Sequence, residues 1–255
     1  MAFTHIWNKL HLHRQKVALC LLAVLLLLGN TTQAQQRDKA LNKPGYDDRP
    51  VHYGFYLAVP LTKYNLQHSQ AYVDQIRSVD PNISVRTKTD IGFYTGLVLN
   101  VRLAQYLDAR FVPGVGFYGR TIEFRNIEVP NQETEDLMIE TIANTMVELP
   151  LLLKYKSKRR SNFRPYLVAG VKPSIDLGKG NSGASGAMLL EVEQYDLALE
   201  YGIGLDVFYP YFKFAPELRF SHGLINQHKP VEGSQYSAYI QKLTNHNVSL
   251  ILFFE

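Results

Sequence analysis

Residues Leu197-Ala-Leu-Glu-Tyr-Gly-Ile-Gly-Leu-Asp206 alternate without a break: every odd position is large and apolar, every even one small or acidic. A β-strand sends successive side chains to opposite faces, so this stretch has an apolar face and a face that carries Glu200 and Asp206. Two folds accommodate such a strand. A soluble sandwich would cover the apolar face with a second sheet and leave the charges in water. An outer-membrane barrel would turn the apolar face to lipid and the charges into its lumen.

The pattern recurs along the chain. Ile91, Phe93, Leu97, Leu99, Val101 and Leu103 share one face, as do Val147, Leu149, Leu151, Leu153 and Tyr155, and again Phe212, Phe214, Leu218 and Phe220. Eight strand-like segments are expected, over roughly 51–60, 90–104, 107–125, 143–157, 163–177, 193–208, 211–223 and 244–255. Their connections alternate between long ones (61–89, 126–142, 178–192, 224–243) and short ones (104–106, 157–162, 209–210). Long loops on one side, short turns on the other and an even strand number are the connectivity of outer-membrane barrels. The expectation is therefore all-β, an eight-stranded antiparallel transmembrane barrel over 51–255 with its short turns in the periplasm. Prolines at 113, 150, 165, 173 and 216 are expected to mark bulges or strand ends, because a closed barrel has no edge to hold them.

The N-terminus agrees with export. Residues 1–16 contain Lys9, Arg14 and Lys16 and no acid, and an aliphatic run follows to Gly29. That is the layout of a signal peptide, with small residues at Thr32 and Ala34 placing cleavage between Ala34 and Gln35. Removal of 1–34 takes three of the 27 Lys+Arg and none of the 23 Asp+Glu, so the mature chain is close to neutral and its charge points to no nucleic-acid partner. It also takes the one cysteine and the one tryptophan, which excludes disulfides and thiol chemistry. Residues 35–50 are polar and read as an extended periplasmic leader.

Alternation sends a mixed set of charges inward: Arg102, Asp108, Arg110, Arg120, Glu148, Lys154, Lys172, Asp196, Glu200, Asp206, Lys213, Glu217 and Arg219. An eight-stranded barrel is only just wide enough for its own side chains, so these are expected to pair and fill the lumen rather than conduct. No catalytic or metal site is expected. A lipid A deacylase needs Ser and His on one face, whereas Ser221 and His222 are adjacent and diverge, and the histidines lack metal-ligand spacing. No cofactor and no small-molecule substrate are expected. The acidic positions Glu128, Glu133, Glu135, Asp136 and Glu140 belong to the second long loop as a candidate partner surface. At the C-terminus, Leu250, Leu252 and Phe254 are the candidate assembly signal, although Glu255 follows them.

Three stretches carry a family resemblance. They are His52-Tyr-Gly-Phe-Tyr-Leu57, the run Glu148-Leu-Pro-Leu-Leu-Leu-Lys-Tyr-Lys-Ser157 with Asn162-Phe-Arg-Pro-Tyr166, and Tyr201 to Glu217. They resemble the PorT family of Bacteroidetes outer-membrane barrels. The resemblance spans about Pro50 to Glu255 and implies a non-enzymatic role in type IX protein secretion and gliding motility, with other secretion-system proteins and outer-membrane lipid as partners. Two alternatives are a small barrel acting as an adhesin or surface-binding module and an outer-membrane lipid-modifying enzyme.

Overall fold

Each alternating segment pairs antiparallel with a neighbour on both sides, so the strands form the wall of a closed cylinder in the computed structural model. Residues 41–78, 81–127, 137–178, 190–231 and 234–255 are described. The eight strands, in chain order, begin with Val51–His68 as the first. The second combines Asp90–Ile91 and Phe93–Ala104, the third Leu107–Phe111 and Gly114–Arg125, and the fourth Leu137–Glu148 and Leu151–Lys156. Phe163–Asp176, Tyr195–Phe208, Lys213–Gly223 and Ile240–Phe254 complete the circuit, the last closing on the first.

The register fixes the shape of the cylinder. Passing from partner to partner around the wall, Tyr53 leads through Leu99, Phe111, Leu151, Val171, Leu199, His222 and His246 to Lys63, ten residues above the starting point. A stagger of that size in eight strands tilts them by about 40° and leaves a backbone radius of roughly 8 Å, which side chains can fill. The offset is even, so the outward set stays outward around the whole circuit. Tyr53, Leu97, Leu151, Leu167 and Ile203 are all exposed on it. The outward apolar run of the first strand, Val51 to Leu61, is roughly 25 Å tall at that tilt, which matches a bilayer's apolar band. No helix among the described residues is long and apolar enough to cross a membrane, and the crossing is made by strands.

The prolines mark no bulges, but Pro113 and Pro150 do stand at strand ends. Val112–Pro113 and Leu149–Pro150 interrupt neighbouring strands at the same height, and the register is unchanged on either side of the gap: Phe111 pairs Leu151 and Gly114 pairs Glu148. Val112 N–H still donates to Pro150 O at 3.0 Å. Two equal interruptions side by side cost ladder bonds but add no residue, so the faces do not exchange. Pro165, Pro173 and Pro216 likewise lie in continuous register.

Three of the expected long loops are shorter than the sequence pattern suggests. The first strand runs on to His68, the fourth starts at Leu137 and the eighth at Ile240, well beyond the apolar band. Their inward residues turn apolar there, and Tyr64, Ile122, Phe124, Ile142 and Leu243 join Ile83, Val85, Tyr236 and Tyr239 in a second core at the long-loop end. The helix Gln70–Ser78 and the strand Ser84–Thr87, which pairs with the third strand, belong to this end.

Candidate functional site

The lumen is the most densely organised part of the molecule. Asp108, Arg110, Arg120, Glu148, Lys154, Lys172, Asp196, Glu200, Asp206, Lys213, Glu217 and Arg219 are all buried inside it. Arg110 donates to Glu217 at 2.8 Å, and Glu217 also accepts from Arg219 and from Tyr166 Oη at 2.9 Å. Arg219 reaches Glu200 at 3.2 Å, and Lys172 bridges Glu200 and Glu148 at 3.4 and 2.8 Å. A second branch centres on Asp206, which takes Lys154 at 2.7 Å and Arg164 at 3.0 Å. These pairs join positions distant in sequence because alternate residues of five strands share one narrow interior. Buried ions of this kind persist only when paired, and each cation of these two branches has a carboxylate in reach.

Two placements depart from the sequence reading. Arg102 has inward parity but is exposed: the second strand ends just past the short-turn rim, where facing inward no longer means being enclosed, and the guanidinium donates to the carbonyl of Asp47. Glu140 is not a loop residue but an inward position of the fourth strand, buried at the long-loop end, because that strand begins six residues before the expected start. Glu128, Glu133, Glu135 and Asp136 lie outside the described residues, as do Ala34 and Gln35. Arg120 sits above the ion network without a carboxylate partner among the described residues. It lies over the Tyr118 ring at 4.9 Å and donates to Asn144, which in turn donates to Asp176.

Several residues of the network escaped the sequence reading. Glu255 was a departure from the usual terminal aromatic, yet its carboxylate accepts from Lys213 and Asn100 at 2.6 Å each and approaches Arg110 at 3.4 Å. Continued parity explains it: Leu250, Leu252 and Phe254 face out, with Phe254 stacked on Phe55 at 5.1 Å, so Glu255 turns in. Arg164 follows by the same rule. Tyrosines divide by the same parity, and Tyr56, Tyr94, Tyr118 and Tyr166 pack inside. Inward glycines make space for them: a Cβ on Gly204 would stand 2.2 Å from the Tyr166 ring, and one on Gly114 2.0 Å from Tyr56 Oη.

The leader is not extended over its described part. Tyr46–Asp48 forms a 3-10 turn across the short-turn end, entered through Gly45 at φ 77°. Tyr46 stacks on His52 at 4.0 Å, Asn42 donates to Phe208 O at 2.9 Å, and Asp47 pairs with Arg164 at 2.6 Å. Burial alone would push the Asp47 carboxyl up. The hydrogen bond and charge of Arg164, with Lys156 nearby, hold it below the usual carboxylate value instead.

Outside the lumen, the wall brings together histidines that chain spacing keeps apart. His222 and His246 are direct ladder partners, with Nδ1 atoms 2.8 Å apart. Ser221 is buried in the interior and His222 faces out, so these neighbours do not act on one face.

A closed antiparallel wall, lipid-facing apolar side chains and a filled ionic lumen define an outer-membrane β-barrel protein. The outer membrane protein beta-barrel domain model matches residues 33–229, and the chain belongs to that family. Among solved structures it is similar to Neisserial surface protein A, at 12% identity and TM-score 0.40, over 80% of this chain and 98% of that one. OprG of Pseudomonas aeruginosa is similar at 14% identity and TM-score 0.43, over 79% and 93%. Ail, the attachment invasion locus protein of Yersinia pestis, is similar at 10% and 0.34, over 79% and 96%. No curated protein matches the chain.

Proposed function

We infer that this barrel is a non-enzymatic accessory or assembly component of type IX protein secretion, of the PorT type, with its long-loop end outside the cell and both chain ends in the periplasm. The observation that supports this reading is where the PorT-like stretches converge. Glu148 and Lys154, Arg164 and Tyr166, and Asp206, Lys213 and Glu217 come from separate stretches, yet they make one network in the lumen. A lumen filled in this way favours binding over conduction, leaving the loops and the leader as the surfaces for other secretion-system proteins. Deleting the gene tests the proposal: cargo with C-terminal sorting domains should accumulate in the periplasm. Normal surface delivery of that cargo would reject it in favour of an adhesin or surface-binding module. A lipid-modifying enzyme would instead be revealed by altered lipid A masses in the deletion strain.

A further inference from the structure

The outward apolar run of the first strand ends at Leu61, which lies in one ladder row with Val248 and Phe220. Two residues toward the long-loop end, the next outward row reads Lys63, His246 and His222. The wall thus changes from apolar to basic across three adjacent strands at the edge of the band, the level at which lipid headgroups meet a barrel. Beside this row, between the first strand and Ser84–Thr87, is a groove of about 570 Å³ whose polar positions include Lys63, His68, Arg86 and His246.

The charges at the groove are not tied up in ion pairs, although the Glu123 carboxylate feels Arg86. Among the described residues neither Lys63 nor Arg86 has an ion-pair partner, and Glu123, opposite Arg86, is taken by Lys88 at 2.5 Å. His68 is already bonded to Val85 O at 3.0 Å. His246 is different. Tyr201 Oη lies 2.9 Å from His222 Nε2, and His222 Nδ1 lies 2.8 Å from His246 Nδ1. A contact between two neutral ring nitrogens needs one proton between them. If Tyr201 donates, His222 holds its proton on Nδ1 and passes the bond on, which makes His246 the Nε2–H tautomer. The relay then ends in a third donor beside Lys63, and an anion in the groove favours that polarity over the reverse.

We propose that this groove binds a phosphate on the headgroup of an outer-leaflet lipid, with Lys63 and Arg86 supplying charge and His246 a directed N–H. The choice of leaflet rests on the orientation given under Proposed function; the phosphate site does not. Native mass spectrometry of the mature protein in detergent micelles tests the site with bisphosphorylated lipid A, dephosphorylated lipid A and inorganic phosphate. The bisphosphorylated lipid should bind, and loss of its phosphates should weaken binding by about tenfold or more. Lys63→Gln and His246→Gln should each weaken it by about tenfold, whereas Lys63→Arg and the opposite-rim control Lys158→Gln should leave it unchanged. Heat-shifted migration on a denaturing gel confirms that each variant has closed its barrel. Equal binding of the two lipid forms, or wild-type binding by both weakened variants, overturns the proposal. Competition by inorganic phosphate at concentrations equal to the lipid's overturns its lipid character. Orientation is read separately, by labelling Ala238→Cys on intact cells with an impermeant maleimide. Lipid binding without labelling would overturn the leaflet and the orientation while upholding the site.

Discussion

Replacing Asp206 with Asn should destabilise the folded barrel by about 3–5 kcal/mol, the cost of leaving one buried charge uncompensated. The magnitude follows from who loses a partner. Asp206 is fully enclosed, with Lys154 at 2.7 Å, Arg164 at 3.0 Å and Lys213 at 3.8 Å. Arg164 retains Asp47 and Lys213 retains Glu255, each at 2.6 Å. Lys154 retains no carboxylate among the described residues, only the face of Tyr166 at 3.7 Å from the ring centre. The loss therefore concentrates on one ammonium. Adding Lys154→Met removes that ammonium, so the double variant should be more stable than Asp206→Asn alone, an ordering that independent contributions cannot produce. Urea unfolding of residues 35–255 from lipid vesicles measures both, followed by circular dichroism because that stretch has no tryptophan. A cost for Asp206→Asn below about 1 kcal/mol would mean a pair screened by water, and the filled lumen would be refuted.

Other consequences can be checked on the same preparation. Leu151→Arg puts a charge on the lipid face and should cost about 2–4 kcal/mol near the midplane. Inward parity alone would make Leu152→Arg the milder change, but Leu152 is buried and directly opposite Arg110, so it should fold no better; clean assembly of Leu152→Arg would show space in the lumen that the packing denies. Gly204→Val must displace the Tyr166 ring and its bond to Glu217, at about 1–3 kcal/mol from overpacking, visible as a lower urea midpoint. The leader should respond to acid late. Because the Asp47 pKa is depressed on folding, its contribution is present above the unfolded value near 3.9 and disappears as pH falls through the lower folded value. Amide exchange of residues 41–50 should therefore stay slow at pH 5, and release there would sink the argument. In planar bilayers the protein should form no stable pore, and a persistent nanosiemens conductance would contradict the plugged interior.

Much of this was legible from alternation alone. Strand number, the outward faces of strands such as 93–104 and 213–223, and nearly all the inward charges follow from a period of two, a local property of the backbone. The same rule, carried one residue further, reaches Glu255 and separates Tyr56 from Tyr53. It fails where inward ceases to mean enclosed, as at Arg102, and where strands continue past the bilayer, as at Glu140, since parity gives direction but not height.

The linear order of residues settled which side chains look outward and which look inward, because that needs only neighbouring peptide units. The folded molecule settled which of them meet. Stagger and closure bring Lys154 to Asp206, His222 to His246 and Asp47 to Arg164, and these depend on register between strands far apart in the chain. A ten-residue offset accumulated around eight strands is a property of the whole circuit, and no single segment carries it.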